Sequence, residues 1–294
     1  MRTGAAYDQL IADLGATFRP QREWVEGRGL FLIAGHFLSS VAAGGWLFAL
    51  WWGNRPAALA AFAAGVLAAL AHLLFLGRPE RFWRMFRVQR SWIARGFLGT
   101  NAFLAGAAGA LAFPGGPLGR AGVALSVAGA VLLIIYKGNV YAASRGVPFW
   151  NSPALPVLYA TYAIRGGLAL HLVLAPLAGG AAGPGAELLE LWVAVSAAVM
   201  LGFYLAVMRG AGVAARASVV ELTRGRAAGA FYLGTVGAGL LVPIALGLSG
   251  VVATPSAAAV LVLVGALSLG GDFFAKYTIA KAGIYVPVMP AGRA

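Results

Sequence analysis

The chain has 294 residues, 61% of them hydrophobic and 11% charged, and its 22 Lys and Arg outnumber nine Asp and Glu to leave a net charge of +13. A soluble domain carries about a quarter charged residues, so the composition excludes a sizeable soluble domain and marks a polytopic membrane protein. With no cysteine, disulfides, iron–sulfur ligation and thiolate metal sites within this chain are excluded as well.

In chain order, residues 1–28 read as a polar and aromatic N-terminal segment rather than a signal peptide, and 7–14 suit a short amphipathic helix or a solvated tail. A bilayer core needs roughly 20 apolar residues per helix. Spans are predicted at 29–52, 56–77, 97–114, 121–143, 153–176, 187–208, 229–249 and 256–281, bounded by Pro, Gly and charge. The third is the shortest and weakest. Backbone groups in lipid must be satisfied internally, so each span is a helix. The expected fold is all-α integral membrane, eight transmembrane helices in two four-helix bundles, 29–143 and 144–281, with a C-terminal tail at 282–294.

An even number of spans puts both termini on one side. Seventeen of the 22 Lys and Arg then fall on that side, Arg55 and Arg120 on the other, and Lys137, Arg165 and Lys276 inside spans. The positive-inside rule makes the terminal side cytoplasmic. The basic balance therefore reports topology, not nucleic-acid binding. Residues 78–96 interleave Arg78, Arg81, Arg84, Arg87, Arg90 and Arg95 with aromatics that include Trp92. Such a loop suits an interfacial belt among lipid headgroups or a docking platform for an acidic partner subunit.

Helical rise converts sequence position to depth. His36 in span one, His72 in span two, Asn101 in span three, and Tyr136 with Lys137 in span four all fall roughly 6–10 Å from the terminal-side face. Four consecutive spans thus bring polar groups to one level. A quinone suits such a layer, because its apolar tail enters from lipid while its two carbonyl oxygens need donors. His and Tyr can exchange the accompanying protons. Other readings of the same residues stay open: each His or Tyr as a packing residue, Lys137 snorkelling to the face, and His36 with His72 as an axial pair for haem b.

The second half holds Arg165 near mid-membrane, His171 deeper, and Asp272 with Lys276 one turn apart, where they can pair. Arg165 has no partner evident in the sequence, Glu187 and Glu190 fall at the face opposite the termini, and Asp272 is the carboxylate expected inside a span. Arg165, His171, Asp272 and Lys276 suit a proton path, a packing device, or the midplane site of a secondary transporter. No Walker motif, metal-binding motif or hydrolytic triad occurs.

The segments carrying the polar layer resemble a known family. Gly35-His36-Phe37-Leu38-Ser39-Ser40-Val41-Ala42-Ala43-Gly44-Gly45-Trp46-Leu47-Phe48 resembles the glycine-rich first helix of NrfD/polysulfide reductase-type (PsrC/DmsC-like) membrane subunits. His72-Leu73-Leu74-Phe75-Leu76-Gly77-Arg78-Pro79-Glu80-Arg81, Ser91-Trp92-Ile93-Ala94-Arg95-Gly96, and Tyr136-Lys137-Gly138-Asn139-Val140 followed by Val147-Pro148-Phe149-Trp150-Asn151-Ser152-Pro153 are similar to further family stretches. The second half matches loosely.

The resemblance implies an eight-helix subunit of a bacterial or archaeal cytoplasmic membrane that binds a quinone, menaquinone or ubiquinone, and no haem or iron–sulfur cluster. It would exchange electrons with a ferredoxin-like iron–sulfur subunit docked on the quinone's face, which serves a molybdopterin-type catalytic subunit. His36 and Tyr136 best match the quinone-contacting positions, with His72, Asn101 and Lys137 beside them. Lys137 departs from the small polar residue usual after the tyrosine. Cytoplasmic docking would fit family complexes with cytoplasmic substrates, such as phenylacetyl-CoA:acceptor oxidoreductase.

Overall fold

The computed structural model describes residues 18–78, 80, 91–183, 185–253 and 258–286. Among them the chain is all-helical. In order come α1 (Gly29–Trp51), α2 (Arg55–Phe75), α3 (Trp92–Ala112), α4 (Pro117–Ala142), α5 (Ala154–Leu177), α6 (Ala186–Gly210), the short α7 (Val213–Arg224), α8 (Ala230–Leu241), its continuation α9 (Val242–Ala253), and α10 (Ala258–Lys281). The expected amphipathic segment at 7–14 lies outside the described residues.

Local chemistry sets the boundaries. Gly53 turns the chain at φ +64°, and the Asn54 side chain then caps α2 by accepting from the Ala57 N–H at 3.0 Å. Ser91 caps α3 in the same way, and Pro117 opens α4 at a position where its missing N–H costs nothing. Among the described residues seven helices are long and apolar enough to cross a bilayer: α1, α2, α4, α5, α6, α8 with the start of α9, and α10. The third expected span forms a helix of 21 residues, α3, but does not reach that hydropathy. Gly96, Gly99, Thr100, Asn101, Gly106 and Gly109 dilute its apolar content.

α5 packs against α1, α4, α6 and α10. The crossings use glycine. A Cβ on Gly44 would run into the Ala163 carbonyl and one on Gly167 into the backbone of Gly44, so α1 and α5 touch main chain to main chain. Gly239 and Gly271 bring α8 and α10 together in the same way. α8 is wound as a π-helix up to Leu241, two residues before Pro243. Lacking an N–H, Pro243 cannot supply the donor that an α-helical turn would direct at the Gly239 carbonyl.

At the terminal end, residues from both ends of the chain form a roof. Pro20 and Ile284 pair as an isolated antiparallel bridge. Gln21 donates its N–H to Gly283 O at 2.8 Å, and Tyr285 donates its own to Arg19 O at 2.9 Å. Trp24 projects inward between Tyr141 and Trp150, with ring centroids 5.1 and 4.9 Å away.

Candidate functional site

Beneath that roof α1, α2 and α4 converge. His36 and His72 lie with ring centroids 5.5 Å apart, and Tyr136 is 6.4 Å from His36. His72 Nδ1 stands 2.7 Å from the Ala68 carbonyl, which can only accept, so Nδ1 carries the proton. Nε2 is then the acceptor that faces the Tyr136 hydroxyl at 3.5 Å. His36 Nδ1 faces the Tyr141 hydroxyl at 3.4 Å. Two helix glycines make room for the His72 and Tyr136 rings. A Cβ on Gly35 would lie 2.7 Å from the His72 imidazole, and one on Gly96 would overlap the Tyr136 ring.

Lys137 turns toward α1. It is 1% exposed and donates to Ser40 Oγ at 3.1 Å, so it does not snorkel. Ser40 in turn donates to the His36 carbonyl at 2.9 Å, one turn along α1. Asn101 does not join the layer: it is exposed and returns its amide to Phe97 O in its own helix at 2.8 Å. Of the basic loop, Arg81, Arg84, Arg87 and Arg90 lie outside the described residues. Arg78 is exposed, and the Arg95 guanidinium stacks over the Trp92 ring at 4.3 Å as α3 begins.

A second constellation lies around α5. Arg165, fully buried, donates from Nη1 to Asp272 Oδ1 at 2.8 Å, from Nε to Glu190 Oε1 at 3.2 Å, and from Nη2 to Ser268 Oγ at 2.7 Å and to the Gly239 carbonyl. Ser268 completes the ring by donating to Glu190 Oε1 at 2.7 Å. Two sequence expectations change here. Glu190 is not at the outer face but 2% exposed inside α6, and Asp272 pairs with Arg165 across helices instead of with Lys276 along its own. The guanidinium wins because its fork serves both carboxylates at once. An acid within the run Leu188-Leu189-Glu190-Leu191-Trp192 is the signal in the sequence that points to Glu190.

Lys276 is buried beside the faces of Tyr162 and Tyr159, 5.4 and 5.9 Å from their centroids. Its Nζ, both tyrosine hydroxyls and Asp272 Oδ2 have no hydrogen-bond partner among the described residues. His171 stands apart from this group, stacked on Trp52 at 4.5 Å.

Among the described residues no group of three or more His, Cys, Asp or Glu could hold a metal ion. A bis-histidine haem needs a slab of space between its two imidazoles. Here the rings tilt at 51° and both nitrogens of His72 already face Ala68 and Tyr136.

The sequence model of the family described as polysulphide reductase, NrfD, matches residues 120–288, more than half of the chain. The chain belongs to the NrfD family. Comparison with curated proteins finds no match. In this NrfD protein the matched region covers α4 to α10, and so takes in Tyr136, Lys137 and the Arg165 cluster while leaving out His36 and His72. The motif resemblance rests mainly on residues 30–160, so the two overlap chiefly on α4 and the turn after it. The family consists of membrane subunits of oxidoreductase complexes, and this member is a multi-pass membrane protein.

Proposed function

We propose that this NrfD protein is the quinone-reactive membrane anchor of an oxidoreductase complex, with an iron–sulfur subunit docked over the terminal-side face and a molybdopterin-type catalytic subunit beyond it. The observation that carries the reading is the His72–Tyr136 pair, a hydroxyl donor set against an imidazole acceptor and seated between Gly35 and Gly96. The residues fit a quinone: Tyr136, His36 and Lys137 offer donors for ring oxygens, and His72 is half-buried at the edge of the layer.

A bound quinone would supply two-electron, two-proton redox chemistry. The chain's own part is proton handling and orientation. In quinol oxidation the Tyr136 oxygen can take a proton from a ligand hydroxyl as its own proton passes to the free His72 Nε2, while Nδ1–H stays on the Ala68 carbonyl and holds the ring. Tyr141 fixes the His36 ring from the opposite side. Arg78, Trp92 and Arg95, with the rest of the 78–96 loop, serve docking and take no part in this chemistry.

The chain enters and leaves the helical body at one end, since residues 20 and 284 pair. That supports an even number of crossings, with α3 as the eighth span beside the seven more apolar helices. The Lys and Arg bias favours a cytoplasmic terminal side. The orphan polar atoms of Lys276, Tyr159, Tyr162 and Asp272 need internal water. They support a proton route from the Arg165 cluster toward the quinone layer, with His171 outside it.

The test is a split between two activities of the purified complex. His36→Ala or Tyr136→Phe should impair quinone-linked turnover while the catalytic subunits still reduce or oxidise a soluble dye. Equal loss of both activities would count against the reading.

A further inference from the structure

Five charged side chains are buried among the described residues: Lys137, Arg165, Lys276, Glu190 and Asp272. Both acids bond Arg165, and Lys276 lies one turn from Asp272 on α10. Lys276 itself forms no ion pair among the described residues, but Asp272, with its Oδ2 unbonded there, is its neighbour; by proximity Arg165 and Lys276 offset Glu190 and Asp272, and Lys137 is left over. Its Nζ bonds Ser40 Oγ, a neutral partner, and it takes part in no ion pair among the described residues. A buried ammonium without a counter-charge is costly. This one sits in the layer that holds His36 and Tyr136, with its Nζ 5.5 Å from the Tyr136 ring centroid.

We infer that Lys137 is a specificity-determining residue, and that the site selects ligands whose ring oxygen carries negative charge. This rests on the quinone reading above. An anionic oxygen supplies the counter-charge that the protein withholds. Lys137 would reach it from the Ser40 side, while Tyr136 and His36 offer neutral hydrogen bonds that any quinone can use. The consequence is a site that tightens on an oxygen as the ring gains electrons, and that discriminates between acidic and non-ionising quinones of the same shape.

The test is equilibrium binding to the purified full-length protein in detergent, read by quenching of its tryptophan fluorescence. The probes are 2-hydroxy-1,4-naphthoquinone, an anion at neutral pH, and its methyl ether, which cannot ionise. The unmodified protein should prefer the anion on the order of tenfold or more, the scale of one charge-assisted hydrogen bond. Lys137→Met should lose that preference while still binding the ether, and Lys137→Arg should keep it. The same preference in Lys137→Met as in the unmodified protein, or no preference in either, would overturn the inference and leave the quinone reading intact. Failure of the unmodified protein to bind either probe would overturn both. Should Lys137→Met not fold, Lys137→Gln carries the same comparison.

Discussion

Replacing Arg165 by Met would remove all four guanidinium bonds that tie α5 to α6, α8 and α10, and leave only the Ser268–Glu190 bond between α10 and α6. Glu190 and Asp272, 2% and 0% exposed, would lose their cation. Removing one partner from a buried ion pair costs about 3–5 kcal/mol, and the Gly239 carbonyl, to which Pro243 offers no donor, adds about 1–3 kcal/mol. Neutral interhelical hydrogen bonds in membrane proteins average only about 0.6 kcal/mol, so a loss of several kcal/mol must come from the stranded charges. Neutralising them in the triple variant Arg165→Met/Glu190→Gln/Asp272→Asn should therefore recover more than half of the loss. The assay is denaturant titration in micelles followed by the fluorescence of the eight tryptophans. A single-variant loss below about 1 kcal/mol, or a triple variant no better than the single one, would refute the charge argument.

Gly96→Ala should leave α3 intact, since Ala favours helix, yet displace the Tyr136 ring; quinone-linked turnover should fall roughly a hundredfold with little change in melting temperature. Unchanged turnover would show that the ring position is not critical. Asn101→Ala, in contrast, should alter quinone-linked turnover by less than about twofold, because its amide serves its own helix. Asn54→Ala should cost about 1 kcal/mol of stability through the lost cap, read in the same denaturant titration. In proteoliposomes, Lys276→Met should slow proton uptake during turnover, followed with a pH-sensitive dye; an unaltered rate would remove Lys276 from the proposed route.

The depth of the polar layer is legible in the sequence because helical rise is nearly constant. Azimuth is not. Asn101 sits at the right level, but five residues from Gly96 rotate it by about 140° around α3, away from Tyr136. A boundary rule misplaces Glu190, because it lies only five residues into α6, where such a rule assigns acids to the face. Arg165 cannot be matched to Glu190 and Asp272 without knowing which helices are neighbours. The pairing of Asp272 with Lys276 follows from spacing alone, and spacing cannot weigh a guanidinium approaching from α5. The π-winding of α8 is equally hidden, since a hydrophobic run has no period that distinguishes it.

The Arg165–Gly239 bond links two helices at a point where each side would be a liability alone. Pro243 denies the Gly239 carbonyl an α-helical donor, and Arg165 supplies one from another helix. Substituting Arg165 first takes that donor away in the bilayer interior. Replacing Pro243 first by a residue with an N–H gives the carbonyl a rival donor and frees the guanidinium from one of its anchors. The order in which these positions can change is therefore constrained: Pro243 can be lost before Arg165 at modest cost, while the reverse path passes through a strongly destabilised intermediate.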